Sequence, residues 1–289
     1  MKRLLSVALL IIIVSPSVLF ADINRVTVLQ SPVWLVRAGK ISPLKVGSEI
    51  LAGDRIRTGQ NARVVVRLGE GSDVKLGGST QWILDEQNRS VADDVFNAIM
   101  SVAKGAFRFT TTALSKGNKR NISARLNTAT IGIRGTDVWG RVDDDKTFVV
   151  LLEGKIEIER EGRTTVMSEA LSLYNAPNGQ QTDPLSTVAI ADLGVFAQQT
   201  EPQAGQGVQA SSGQWQLNAA SYLEAEYATK LQGQLNEAGY SADIQTVEIN
   251  AQTFSRVVIG QFVTEADAET IKNQLQDTFQ ISPWINRND

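Results

Sequence analysis

The sequence predicts a multi-domain chain: an all-β domain first, then a C-terminal α+β domain of ferredoxin-like (βαββαβ) order. Three observations predict it. Between Val26 and Tyr174, short alternating apolar and polar runs are separated by turn residues, the pattern of half-buried strands. From residue 215 to 289 the chain repeats itself at an offset of 40, each copy reading as strand, amphipathic helix, strand. Between them lies a stretch rich in Gly, Gln and Ser. The expected divisions are an export signal (1–21), the β domain (22–180), a linker (181–213) and the α+β domain (214–289).

Lys2 and Arg3 precede an apolar run from Leu4 to Val14, broken only by Ser6 and followed by Ser15, Pro16 and Ser17. A basic start, an apolar run of about 7–15 residues and small residues at the exit describe a secretory signal. Cleavage after Ala21 places Leu19 at the −3 position, and cleavage after Ser17 places Ser15 there. Both sites stay open, as does an uncleaved inner-membrane anchor.

Within the β domain, alternation is clearest in Arg55–Thr58, Arg63–Leu68 and Lys155–Glu159. Turn chemistry at 69–72, 77–78, 143–145, 153–154 and 161–162 separates the runs. Val95, Ile99 and Val102 fall at i, i+4 and i+7, which predicts a short helix over Ala92–Ala103. Arg134, Thr136 and Asp137 form the most site-like cluster. Their structural alternative is a turn in which Gly135 takes an unusual dihedral and Arg134 pairs with a strand carboxylate.

Thr200–Gln214 has a single bulky apolar residue, Val208. Such a segment buries too little surface to order itself, and as a coil it would span about 20 Å. The more apolar Leu185–Ala197 ahead of it is expected to pack on the β domain as a short helix.

In the repeat, Ala228, Leu231 and Leu235 share one helix face, as do Ala268, Ile271 and Leu275. Ser221 with Glu224, and Thr264 with Asp267, have the spacing of an N-cap and its N3 partner. Gly239 stands where a glycine ends a helix. Ala242–Val247 and Phe279–Trp284 supply the return strands, giving a four-stranded sheet with two helices on one face. Tyr222 and Phe262 read as core residues.

Composition narrows the chemistry. The 289 residues include no cysteine and no histidine. Disulfides, thiolate nucleophiles, histidine-based triads and the common zinc sites are excluded. No catalytic residue stands out: Asp143–Asp145 reads as a solvated turn, and no metal or cofactor is expected. Charge is divided unevenly, with 22 basic and 18 acidic side chains in 22–180 but 4 and 13 in 181–289. So acidic a C-terminal half argues against a nucleic-acid partner.

Motifs in the β domain carry a resemblance. Gly47-Ser48-Glu49-Ile50-Leu51-Ala52-Gly53-Asp54-Arg55-Ile56-Arg57-Thr58-Gly59 is similar to the opening signature of FecR-like domains. The Ala62–Leu68 and Gly71–Leu76 hairpin, Thr130–Val138, and Val149–Leu152 with Glu153-Gly154-Lys155-Ile156 follow in that family's order. The resemblance implies a periplasmic β domain whose role is interaction or sensing, with an envelope protein as a possible partner. The family's best-known members regulate a sigma factor through a transmembrane helix and a cytoplasmic segment placed ahead of the domain. This sequence has neither pattern, so the regulatory activity is an alternative rather than the expectation.

The C-terminal repeat resembles the SPOR domain, a peptidoglycan-binding module. Leu217–Tyr222 matches its first strand motif, and Phe254-Ser255-Arg256-Val257-Val258-Ile259-Gly260-Gln261-Phe262 its third. The resemblance implies binding to glycan strands stripped of stem peptides, on the open sheet face. It maps the glycan-binding set onto Asn218, Ser221, Phe254 and Arg256. Asn218 replaces the usual Gln and shortens its reach by one methylene; Ala220 for Gly and Gln261 for Pro also depart from the pattern. Ser221 as an N-cap, Phe254 as a packing residue and Arg256 paired with Glu248 are the structural alternatives. Because SPOR units are often fused to enzymes, a lytic transglycosylase-like activity is the other alternative.

Overall fold

The computed structural model describes residues 23–90, 92–112, 117 and 119–288. The expected export signal lies outside these residues. Among them, no helix is long and apolar enough to cross a membrane.

The β region opens with β1 (Asn24–Gln30), β2 (Val33–Arg37), β3 (Lys40–Pro43), β4 (Glu49–Ile50), β5 (Arg55–Thr58) and β6 (Arg63–Arg67). It continues with β7 (Asp73–Leu76), β8 (Gln81–Ser90), β9 (Val95–Thr110), β10 (Arg120–Leu126), β11 (Ala129–Ile133) and β12 (Asp137–Val142). The last strands are β13 (Lys146–Glu153), β14 (Ile156–Arg160), β15 (Arg163–Met167), β16 (Ser172–Pro177) and β17 (Ser186–Thr187). One sheet runs β17-β16-β13-β12-β9-β7-β6-β1. A second runs β3-β2-β5-β8-β9-β10-β11-β14-β15, antiparallel except for the β9–β10 pair. Their inward side chains, among them Val64, Phe107, Val138 and Leu151 from the first and Ile56, Trp82, Ile131 and Ile158 from the second, form one core.

β9 belongs to both sheets. Phe96, Ala98, Met100 and Val102 are buried while their neighbours alternate outward. The helix expected over Ala92–Ala103 is therefore a strand from Val95 onward. The i, i+4, i+7 spacing of Val95, Ile99 and Val102 was outweighed by a period of two, read through β-branched and aromatic residues that suit a pleated surface. β9 changes sheets at Gly105, whose φ is +96° and whose missing Cβ would lie 2.2 Å from Thr80 Oγ1.

The outer face of the first sheet is covered by α1 (Leu193–Thr200), which begins later than expected and follows a 3-10 turn over Ile190–Asp192. Phe196 packs on Trp139 with ring centroids 4.6 Å apart.

The segment expected to be a flexible coil is ordered. It contains β18 (Val208–Ala210), which pairs with β1 and touches β21 through Gln209 and Phe262. Its order comes from tertiary partners rather than its own apolar surface: the buried Asp267 accepts hydrogen bonds from Gly207 N (3.2 Å) and Val208 N (3.0 Å).

The C-terminal region is β19 (Trp215–Tyr222), α2 (Ala225–Glu237), β20 (Asp243–Ile249), β21 (Gln252–Phe262), α3 (Glu265–Phe279) and β22 (Trp284–Arg287). The sheet order is β22-β19-β21-β20. The expected helix faces are buried against Leu217, Val257, Ile259 and Phe262. Thr264 and Asp267 form the expected capping box, and Gly239 follows α2 with φ +85°. Three local details differ. Ser221 caps nothing, because β19 runs on to Tyr222 and Glu224 occupies the N-cap. The first return strand reaches Ile249. The second starts only at Trp284, since Phe279 is still helical. Direct hydrogen bonds also join the two regions: Val33 N donates to Gly239 O (3.2 Å) and Trp34 Nε1 to Glu237 O (3.0 Å).

Candidate functional site

The helices cover one face of the C-terminal sheet and leave the other open. Alternation along β19 sends Leu217 and Ala219 to the helices and Gln216 and Asn218 to the open face. A bulge between Asn218 and Ala220 then resets the register, so that Ser221 lies opposite Arg256. On β21 the open-face residues are Phe254, Arg256 and Val258, facing Val247, Gln245 and Asp243 of β20. On β22 they are Trp284 and Asn286, opposite Asn218 and Gln216.

Two clusters result. At the surface, Arg256 Nε donates to Ser221 Oγ (3.0 Å), and the guanidinium lies 5.2 Å from the centroid of the Trp284 ring. The hydrogen bond and the cation–π contact hold a long side chain in one orientation while leaving other guanidinium donors free. Trp284 is 40% exposed. Beneath it, Asn218 is fully buried in an amide ladder. Its Nδ2 donates to Trp284 O (3.3 Å) and to Asn286 Oδ1, and its Oδ1 accepts from Gln216 Nε2 (3.2 Å). Gln216 and Gln245 exchange hydrogen bonds of 3.4 and 3.3 Å.

The structure thus brings Ser221 and Arg256 together and places Phe254 on the same face. It holds Asn218 below the surface, where its amide ties β19 to β22. Arg256 has taken Ser221 and Trp284 as partners instead of Glu248. Sequence reasoning missed Trp284, Gln216, Gln245 and Asn286. The signal was present as the period-two sets Gln216/Asn218 and Trp284/Asn286, each set against apolar neighbours, but only pairing across the sheet shows that they share a face. On the helix-covered side of the sheet, burial pushes the Tyr240 hydroxyl above the usual tyrosine range. It donates to Gln274 Oε1 (3.2 Å).

The β region's motif cluster centres on Asp137. Arg108 grips Asp137 through two hydrogen bonds of 2.6 and 2.8 Å, and the Asp137 bonds raise its guanidinium pKa against the opposing effect of burial. Thr136 is buried, Gly135 has φ +69°, and Arg134 is exposed. The expected Arg134–carboxylate pair is replaced by Arg108–Asp137. No cluster of three metal-ligating side chains occurs among the described residues.

Comparison with known families agrees with this layout. The family model described as FecR protein matches residues 54–157, and the one described as SPOR domain matches residues 211–287. The chain carries a FecR-like domain followed by a SPOR domain. Both are non-catalytic binding or regulatory modules typical of envelope proteins, and the SPOR domain is a peptidoglycan-binding one. No curated protein gives a significant match. Two crystal structures of a candidate anti-sigma factor from Parabacteroides distasonis align with TM-score 0.40 and 13% identity. They cover 78% of this chain and 92% and 91% of theirs. The open sheet face described above therefore lies on the SPOR domain.

Proposed function

We propose that this is an exported, periplasmic, non-catalytic protein that binds glycan strands denuded of stem peptides through the open face of its SPOR domain, with the FecR-like domain as a second interaction or sensing module. The Ser221–Arg256–Trp284 cluster carries this reading. A glycan offers hydroxyls, acetamido groups and apolar C–H faces. A held guanidinium with spare donors meets the first two, and an exposed indole meets the third. Phe254 extends the apolar part of the face, and Asn218 acts by fixing Trp284 and Asn286 from below. The supply of amide, hydroxyl and aromatic groups suits a neutral polymer better than a polyanion.

Co-sedimentation with sacculi tests it. The full chain is expected to pellet with amidase-treated sacculi more than with intact ones. Arg256→Ala and Trp284→Ala should each lower the association constant about tenfold, the size of one lost anchoring contact. Equal pelleting on both materials, or unchanged affinity in both variants, would refute the proposal.

A further inference from the structure

The open SPOR face does not end in solvent on every side. From Arg256 to Gly260 it runs four residues along β21, about 14 Å, and there meets the FecR-like domain. Between the two lies a cleft of about 150 Å³, lined from both domains. Its lining includes Gln209, Gln216, Gln245 and Gln261, with Lys45 of the β3–β4 loop and Asp243 as a wall. Lys45 Nζ donates to Asp243 Oδ1 across the domain boundary. Gln216 and Gln245 are the amides that lead from the cleft toward Arg256. Gln209 is anchored at both ends, donating to Gly260 O (2.6 Å) and accepting from Ser31 Oγ (3.3 Å).

From this continuity we infer that the FecR-like domain completes the glycan groove: the interdomain cleft is a further sugar subsite, walled by Lys45 and Asp243. This rests on the glycan-binding reading above. A side-chain amide has two N–H donors and two acceptor lone pairs, so Gln209 and Gln245, each donating once and accepting once, keep one of each to offer acetamido and hydroxyl groups. The Lys45 ammonium donates to sugar oxygens and the Asp243 carboxylate accepts from sugar hydroxyls. Both are accessible at the surface, with side-chain exposures of 46% and 60%. The cleft is too polar for an apolar anchor. Nor is the adjoining domain hinged away, since Val33 and Trp34 bond the end of α2 directly.

The test uses the full chain and amidase-denuded glycan fragments of two lengths, a single disaccharide and strands of many disaccharides. Lys45→Ala is expected to weaken binding of the long strands about fivefold, the loss of one net hydrogen bond, and to leave the disaccharide unaffected. Arg256→Ala should weaken both. Long strands, but not the disaccharide, should slow backbone hydrogen exchange over residues 44–48 in the parent protein. If Lys45→Ala binds both lengths like the parent while Arg256→Ala is impaired, the extended groove is overturned and the SPOR-face reading stands. An equal loss on both lengths also overturns it. If the parent protein binds neither fragment, both readings fall.

Discussion

Replacing Asp267 should separate a local helix cap from a tertiary anchor. Its carboxylate is fully buried and accepts four hydrogen bonds. Two come from Thr264, through N (3.1 Å) and Oγ1 (2.6 Å); the first, with Asp267 N donating to Thr264 Oγ1, closes the capping box of α3. The other two come from Gly207 N and Val208 N and hold the connector that forms β18. In Asp267→Ala the cap loss costs about 1 kcal/mol. Two buried connector amides are left without acceptors, at about 1–3 kcal/mol each before relaxation. Local rearrangement recovers part of this, so a total near 3–5 kcal/mol is expected. Asp267→Asn keeps one acceptor oxygen and should lose about half as much. Guanidinium unfolding of the full chain, followed by tryptophan fluorescence and circular dichroism, reads the stability change. Hydrogen exchange at residues 207 and 208 reads the anchor directly. A loss below about 1 kcal/mol in Asp267→Ala would reduce the residue to a cap, and equal losses for Ala and Asn would refute the division of labour between its two oxygens.

Gly105→Ala forces a side chain into φ +96° and against Thr80, and should cost about 3 kcal/mol or more in denaturant unfolding. Gly233→Ala, in α2 with open space beside its Cα, should instead stabilise by about 0.5–1 kcal/mol. Burial raises the Tyr240 pKa, so the folded state keeps this proton after the unfolded chain releases it at about pH 10. The stability gap between the parent and Tyr240→Phe should therefore be constant below about pH 10 and shift against the parent above it. Urea midpoints between pH 8 and 11 check this, and parallel curves throughout would contradict it.

Local signals determined a great deal here. Alternation and turn residues marked most of the strands, and the offset of 40 disclosed the βαββαβ order. The capping box at Thr264 and the glycine after α2 were legible because each is a short-range matter of spacing and dihedral preference. What failed was decided over longer distances. Val95–Val102 satisfies helical and strand periodicities at once, and only partners on both sides, β8 and β10, select the strand. Residues 207–210 look like solvated coil because their stabilising groups lie elsewhere in the chain, on β1 and at Asp267.

The same holds for the site. The types of Ser221, Phe254 and Arg256 were readable within two strand motifs, since period two sets which face a residue takes. Trp284 was not, because it enters only through the β19–β22 pairing that sets it opposite Asn218 and beside Arg256. Sequence alone determined the two modules, their order and the chemistry available on each. Tertiary structure alone decided that Asn218 is buried beneath the open sheet face, that Trp284 sits on that face beside Arg256, and that Lys45 of the β region pairs with Asp243 of the SPOR domain. Those are matters of register and docking, and no local pattern encodes which distant strand will be the neighbour.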